Sequence, residues 1–373
     1  MPDTDISGTV FDEFGSPQAG ATVALMLTES ESEVFYTTTN SNGDYQFVSH
    51  PDADGSTKEW HVVGYYRDND GEYNGFSEPY VSASLAPTNI GAFGGDSIFI
   101  ETLNGTQYKI HEFVTDGTFT VTKTPPGEKM DVLIVGAGGG GGASSSTTAG
   151  GGGGGAGGVI STTLDVEVAT TAITVGSGGA GATADQDSDG QNGGDTEAFG
   201  LTSLGGGGGG GRGRPGLDGG CGGGGGSGSE QPGGVGLQSS EFVVVGSTTD
   251  GGDGEERPLS SSVNNAAGGG GSPVFAGLDG TTNAGGAGAD SIDVSSEFGT
   301  RVGVSGRFAA GGGGGDGNIP DSERFVSGGV GGGGDAGKDA ARNNGSGGGG
   351  QRFSGTSPPG DGGSGVVLIR YEI

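Results

Sequence analysis

Asp185-Gln-Asp-Ser-Asp-Gly190 sets three carboxylates at alternate positions ahead of a glycine, the first half of a calcium loop. Asp185, Asp187 and Asp189 would be the ligands of Ca2+ or another cation. The twelfth position should be glutamate, but Thr196 stands there and Glu197 falls one residue late. The plainer reading is an acidic turn in a chain rich in acids. A second pattern, Asp131 to Val135 followed by Gly136-Ala-Gly-Gly-Gly-Gly141, satisfies strand plus GxGxxG. A dinucleotide site also needs a helix next, and the glycines here run into Ala143-Ser-Ser-Ser-Thr-Thr and more glycine, where no helix starts. His50, His61, His111 and Cys221 share no metal-ligand spacing, and no serine sits in a nucleophile elbow. The sequence therefore implies no cofactor beyond that cation, and no enzyme.

Binding chemistry is better represented. Large side chains of the second half fall in inserts between glycine runs: Phe242, Phe275, Phe298, Phe308, Phe325 and Phe353. Three follow arginine directly, as Arg307-Phe308, Arg324-Phe325 and Arg352-Phe353. Aromatic faces and guanidinium groups on rigid loops suit a glycan or protein receptor. Phe242, Val244, Arg257, Phe298, Arg301, Arg307, Phe308, Arg324 and Phe325 are the candidate contact residues. The alternative is that each phenylalanine packs across the end of a glycine helix while its arginine pairs with a nearby acid.

These inserts need a scaffold, and glycine supplies it. Of the 95 glycines, 81 lie after residue 130, without a G-X-Y period and with little proline, which excludes a collagen helix. Glycine tracts, clearest at Gly138–Gly142, Gly150–Gly158, Gly205–Gly211, Gly219–Gly226, Gly268–Gly271, Gly311–Gly315, Gly328–Gly334 and Gly345–Gly350, predict packed polyglycine-II helices. Such a helix has three residues per turn and outward N–H and C=O groups that neighbours satisfy mutually. Met130–Gly142 and Ser364–Tyr371 each hold an apolar, β-branched run, and their pairing would pin both ends of the glycine region together. Val159–Val175 reads as a hairpin capping one end. Long inserts at Gly236–Ala267, Ala289–Ala310 and Asn318–Ser327 exceed what turns require. The first two are expected to fold as small exposed elements.

Forty-six acidic against fifteen basic residues give a net charge of -31, which excludes a general affinity for nucleic acid. Low lysine with abundant Asp, Glu and Thr fits a very salty environment, where molar salt shortens the Debye length to about 3 Å. One cysteine permits no internal disulfide. The N-terminus lacks the charged and apolar regions of a signal peptide, and no apolar run is long enough for a membrane span.

Before the glycine region, strands are expected at Ile6–Phe11, Ala21–Leu27, Val34–Thr39, Tyr45–Val48 and Trp60–Tyr66, separated by Gly/Asn/Asp turns. The pattern G-x-V-x-D-x-x-G-x-P-x-x-G-A-T-V at Gly8–Val23, followed by T-x-S-N-G-D-Y-x-F at Thr39–Phe47, resembles the carboxypeptidase-regulatory-like family. That resemblance implies a non-catalytic, prealbumin-like β-sandwich attached to a larger protein. Further strands are expected at Ser97–Leu103, Tyr108–Val114 and Thr118–Lys123.

Tyr108-Lys-Ile-His-Glu-Phe113, Gly117-Thr-Phe-Thr-Val-Thr122 and the DVLIVGAGGGGG stretch closely resemble the opening of the glycine-rich domain of phage tail fibres and tail-tip adhesins. Gly157-Gly-Val-Ile160, Ile173–Gly179, Gly200–Gly206 and the closing GVVLIRY continue the likeness. It implies a polyglycine-II bundle whose tip loops bind a host surface. The expected architecture is all-β with a polyglycine-II bundle and a strand collar: residues 1–86 a sandwich for attachment, 87–130 a junction, and 131–373 the bundle. The expected function is a viral tail adhesin binding a surface-layer protein or glycan, assembled in the cytoplasm of a halophilic archaeon. Its partners would be that receptor and other tail or baseplate proteins, with a homotrimer among the possible assemblies. The competing classes are a purely structural virion protein, such as a spike or turret, and a cellular surface protein.

Overall fold

A computed structural model describes residues 4–9, 22–27, 30–42, 44–50, 60–67, 73–76, 90–228, 231–238, 266–280, 285–316, 326–352 and 357–373. The chain divides into two compact units, Met1–Gly91 with Val121–Glu128, and Ala92–Thr120 with Lys129–Ile373.

The first unit holds two antiparallel sheets. β1 (Thr4–Thr9) pairs with β4 (Asp44–His50). A four-stranded sheet runs β3 (Ser30–Thr38), β2 (Thr22–Leu27), β5 (Trp60–Arg67) and β6 (Tyr73–Phe76). Strands fall where β-branched and aromatic residues alternate with polar ones. The turn after β3 is shaped by the Asn40 side chain, whose Oδ1 accepts the N–H of Asn42 at 2.8 Å. β6 was not expected from the sequence.

The second unit takes in β8 (Ser97–Leu103), β9 (Thr106–Phe113) and the greater part of β7 (Gly91–Phe93) and β10 (Gly117–Lys123). β11 (Lys129–Val135) and the last strand, β18 (Val366–Glu372), pair antiparallel with Val135 opposite Val366 and Asp131 opposite Arg370. Both ends of the glycine region are thereby held together, as the two apolar runs predict. With β12 (Val159–Asp165) they complete a five-stranded sheet of order β12-β11-β18-β9-β8. β13 (Thr170–Ile173) instead joins β10 and β7, so Val159–Val175 is not a hairpin: its two strands enter different sheets. β14 (Thr196–Ala198) and β15 (Leu201–Ser203) form a short hairpin.

Past Val135 the backbone becomes a three-residue helix with partners on every side. Gly136, Gly139 and Gly142 donate their N–H groups to Gly158, Gly155 and Gly152. Ala137, Gly140 and Ala143 donate to Gly194, Gln191 and Ser188, and Gly138 and Gly141 to Gly363 and Gly360. All eight bonds measure 2.8–3.1 Å. The carbonyls accept from three further stretches: Gly179 and Ala182; Gly206, Gly209 and Arg212; Gly348 and Gln351. Each neighbour is met again after three residues, the repeat of a polyglycine-II helix. Three antiparallel neighbours take N–H groups and three parallel ones give them. Residues 150–158 are also met on six sides, by five antiparallel neighbours and one parallel one.

Close approach of the axes explains the glycine. A Cβ on Gly140 would overlap the Ala180 carbonyl, and one on Gly154 the Gly139 carbonyl. The exclusion is not absolute, because Ala156 and Cys221 are buried where the lattice meets the sheet. The predicted tract Gly328–Gly334 is also broken. At Gly331 and Gly332 φ is 101° and 121°, and the chain reverses there, so Gly333 donates back to Gly329.

Candidate functional site

The hydrogen-bond register sorts the turns of the bundle into two ends. At the sheet end lie Gly136, which donates to Gly158, and Gly345, which accepts from Gly157, beside β11 and β12. At the far end lie Gly142, Gly151, Gly315 and Gln351, also mutually bonded.

The insert Ala289–Ala310 belongs to the sheet end. It folds as a small structured element, with β16 (Ile292–Asp293) paired to β17 (Arg307–Phe308) and a single helical turn, α1 (Ser295–Phe298), between them, but it packs into the core instead of standing exposed on the bundle. Its aromatic residues, however, are not a surface. Phe298 and Phe308 are 1% and 0% exposed, and pack with Phe99, Ile110, Leu133 and Leu368 in the core over one face of the sheet. Their expected role as contact residues is corrected on that ground: burying such side chains is worth about 1.5–3 kcal/mol each. Arg301 lies over the Phe99 ring at 4.6 Å. Arg307 pairs with Asp293 at 2.8 Å. Arg370 bonds Asp131 at 2.9 Å and lies over both Tyr108 and Phe298. The arginines of this end lie over core rings or pair with acids at the rim of the core.

The opposite face of the sheet is sealed by His111. Its Nδ1 donates to the Gly94 carbonyl at 2.7 Å, which leaves Nε2 to accept the Tyr371 hydroxyl at 3.1 Å. Phe119 meets the imidazole edge-on at 5.1 Å. Burial lowers the histidine pKa and pushes that of Tyr371 up to about 12.

At the far end the described loops are short and polar. Ser145, Thr147 and Thr148 are exposed on one loop, Asp185 and Gln186 on a second, and Arg212 and Arg214 on a third. The loops are bound to each other. Buried Gln351 accepts the N–H groups of Ser144 and Asp185 through Oε1 and donates from Nε2 to Asp185 Oδ1. Asp187 Oδ1 accepts from Ser145 N–H at 2.8 Å, and its other oxygen lies 3.8 Å from Arg212. Gly213, with φ of 70°, turns the third loop between its two arginines. Below the loops Arg352 and Asp316 form a buried pair at 3.1 Å, so this Arg-Phe arginine also meets a local acid.

The calcium-loop expectation is corrected here. Asp185 is held by Gln351 and Asp187 by Ser145, while Asp189 accepts from Gly211 N–H at 2.8 Å and pairs with Arg214 at 3.2 Å. The three carboxylates serve different partners instead of converging, and no group of three or more potential metal ligands occurs among the described residues.

Asp189 belongs to a pattern that no calcium-loop spacing describes. Asp189, Asn192 and Asp195 stand three apart, and their Oδ1 atoms accept the N–H groups of Gly211, Gly208 and Gly205 at 2.8, 2.9 and 2.8 Å. One edge row of the lattice is thus closed by side chains, and the three-residue spacing announces it. Phe242, Val244 and Arg257 lie outside the described residues, as do Arg324 and Phe325. Of the three insert phenylalanines among the described residues, Phe275 is 57% exposed and Phe298 and Phe308 are buried.

The arrangement defines a class: a backbone-bonded glycine bundle, closed at one end by a hydrophobic collar and open at the other as a set of linked polar loops. A family model described as a glycine-rich domain matches residues 114–372, and the chain belongs to that family. A search of curated proteins returns no match. No helix of the described residues is long and apolar enough to cross a membrane.

Proposed function

We propose that the protein is a tail-fibre or tail-tip adhesin of a virus infecting an extremely halophilic archaeon. The N-terminal unit attaches it to the particle, and the far end of the bundle meets a glycan or protein of the host surface. The role is one of binding, without catalysis. One observation carries this reading: the bundle holds Ser145, Thr147, Thr148, Gln186, Arg212 and Arg214 exposed at the end remote from the collar. Turns that only reverse the chain do not need such side chains, and loops on a rigid scaffold are where binding residues concentrate. The net charge of -31 supports a working environment of high salt, where self-repulsion is screened.

The test is adsorption of the labelled full chain to haloarchaeal cells in molar NaCl. A variant with Arg212→Ser and Arg214→Ser, and with Ser145–Thr148 shortened to Gly-Asn-Gly, should melt within a few degrees of the parent and lose most of its adsorption. Unchanged adsorption would move the protein to the structural class.

A further inference from the structure

We propose that two copies of the chain associate through β8, edge to edge, extending the five-stranded sheet across a twofold axis centred on Phe99. β8 is the last strand of its sheet, and among the described residues nothing pairs with its outer side. An edge strand presents a row of unpaired N–H and C=O groups, which soluble proteins ordinarily blunt with charged side chains, proline, a bulge or a short length. β8 carries one such device, the charge of Glu101, and no other. It is seven residues long, carries neither lysine nor proline, and keeps an unbroken register from Ser97 opposite Glu112 to Leu103 opposite Thr106. Its outward face carries Ile98 and Ile100, 49% and 54% exposed. The other edge strand differs: the exposed residues of β12 are Thr163 and Asp165.

The occupant follows from the order of residues along β8. Antiparallel pairing about Phe99 sets Ile98 against Ile100 of the second copy and Ile100 against its Ile98, gathering four isoleucines on one face. On the other face Phe99 meets its own counterpart. Glu101 falls opposite Ser97, and Asp96 opposite Thr102, so no acid faces an acid. The two Glu101 side chains lie four residues apart along the strand, about 14 Å, beyond the roughly 10 Å Debye length of 0.1 M salt. Shifting the axis to Ile100 would set Phe99 against Glu101 and Ile98 against Thr102, leaving Ile100 against its own counterpart as the one isoleucine pair. With each copy carrying a charge of -31, association should strengthen with salt.

Sedimentation of the full chain at low and at molar NaCl tests the association. A dimer is expected in molar salt, and Ile98→Lys should weaken it by at least about tenfold with an unchanged circular dichroism spectrum. A parent chain that stays monomeric in molar salt at 0.1 mM overturns the proposal, as does an Ile98→Lys variant that dimerises equally well. The register is tested with Ile98→Cys and Ile100→Cys chains, since Cys221 is buried. Mixed, they should form a disulfide joining the two substituted positions; each alone should not. A bridge in either single population would refute the axis at Phe99. Adsorption to cells is read separately, at the far end of the bundle, so either idea can fail alone.

Discussion

Asn192 Oδ1 accepts the N–H of Gly208 at 2.9 Å, placing a side chain where the rest of the lattice uses a peptide carbonyl. Gly208 is buried, and with Asp189 and Asp195 the same device closes a full edge row. Asn192→Ala should lower stability by about 1 kcal/mol, the usual value of a partly screened hydrogen bond. For a chain of this size that is a melting shift of about 2–4 °C. Asn192→Asp keeps this acceptor but loses the Nδ2 donation to the Asp218 carbonyl at 2.9 Å, so it too should melt below the parent. Equal midpoints for the alanine and parent chains would show that solvent replaces the ladder without loss.

A Cβ on Gly208 would overlap the Gly190 carbonyl oxygen, and both backbones are pinned by neighbours. Gly208→Ala should therefore cost more than about 3 kcal/mol, above the usual range for overpacking. Ser177 lies on an outer helix with its side chain in solvent, and Ser177→Val should change stability by less than about 0.5 kcal/mol. Urea titrations of the two variants should separate clearly.

His111 is neutral in the fold, and burial keeps its pKa below the ordinary value of about 6.5. Below that value the unfolded chain takes up a proton that the folded chain resists, so stability is full above about pH 6.5 and declines as the pH falls towards the folded pKa. Asp96 adds its own loss lower on the scale. Burial raises its pKa, but bonds from the Thr115 hydroxyl and from the N–H groups of Val114 and Thr115 outweigh burial and hold it down. Melting measured from pH 8 to pH 5 should show a decline that His111→Gln removes. A decline of equal size in the glutamine chain would assign it to other groups.

The pairing of β11 with β18 was legible because both are compact β-branched runs, and the purest glycine tracts were legible because nothing else tolerates them. Residues 176–182 and 188–194 are equally helical, yet were missed because side chains interrupt them. In 176–182 the glycines at 176 and 179 face inward while Ser177 and Ala180 face solvent, so the signal was a period of three, not purity. The burial of Phe298 and Phe308 could not be read from their neighbours in sequence. It depends on Phe99, Ile110 and Leu368, distant in the chain, which the fold brings beneath them. The described far-end loops at 144–149 and 212–215 carry no motif and no aromatic residue, and only the register of the bundle shows where they stand.

Most of the bundle interior is peptide and Cα, whereas the apolar side chains gather at the collar. Heat capacity on unfolding rises with exposed apolar surface and falls with exposed polar surface. Unfolding the bundle should therefore contribute less than the usual 12–15 cal/mol/K per residue, roughly, found for ordinary globular chains. A smaller heat-capacity change flattens the dependence of stability on temperature. The glycine helices should hold their order over a wider thermal range than an oily core of equal stability, with the collar setting both the cold and the hot limit.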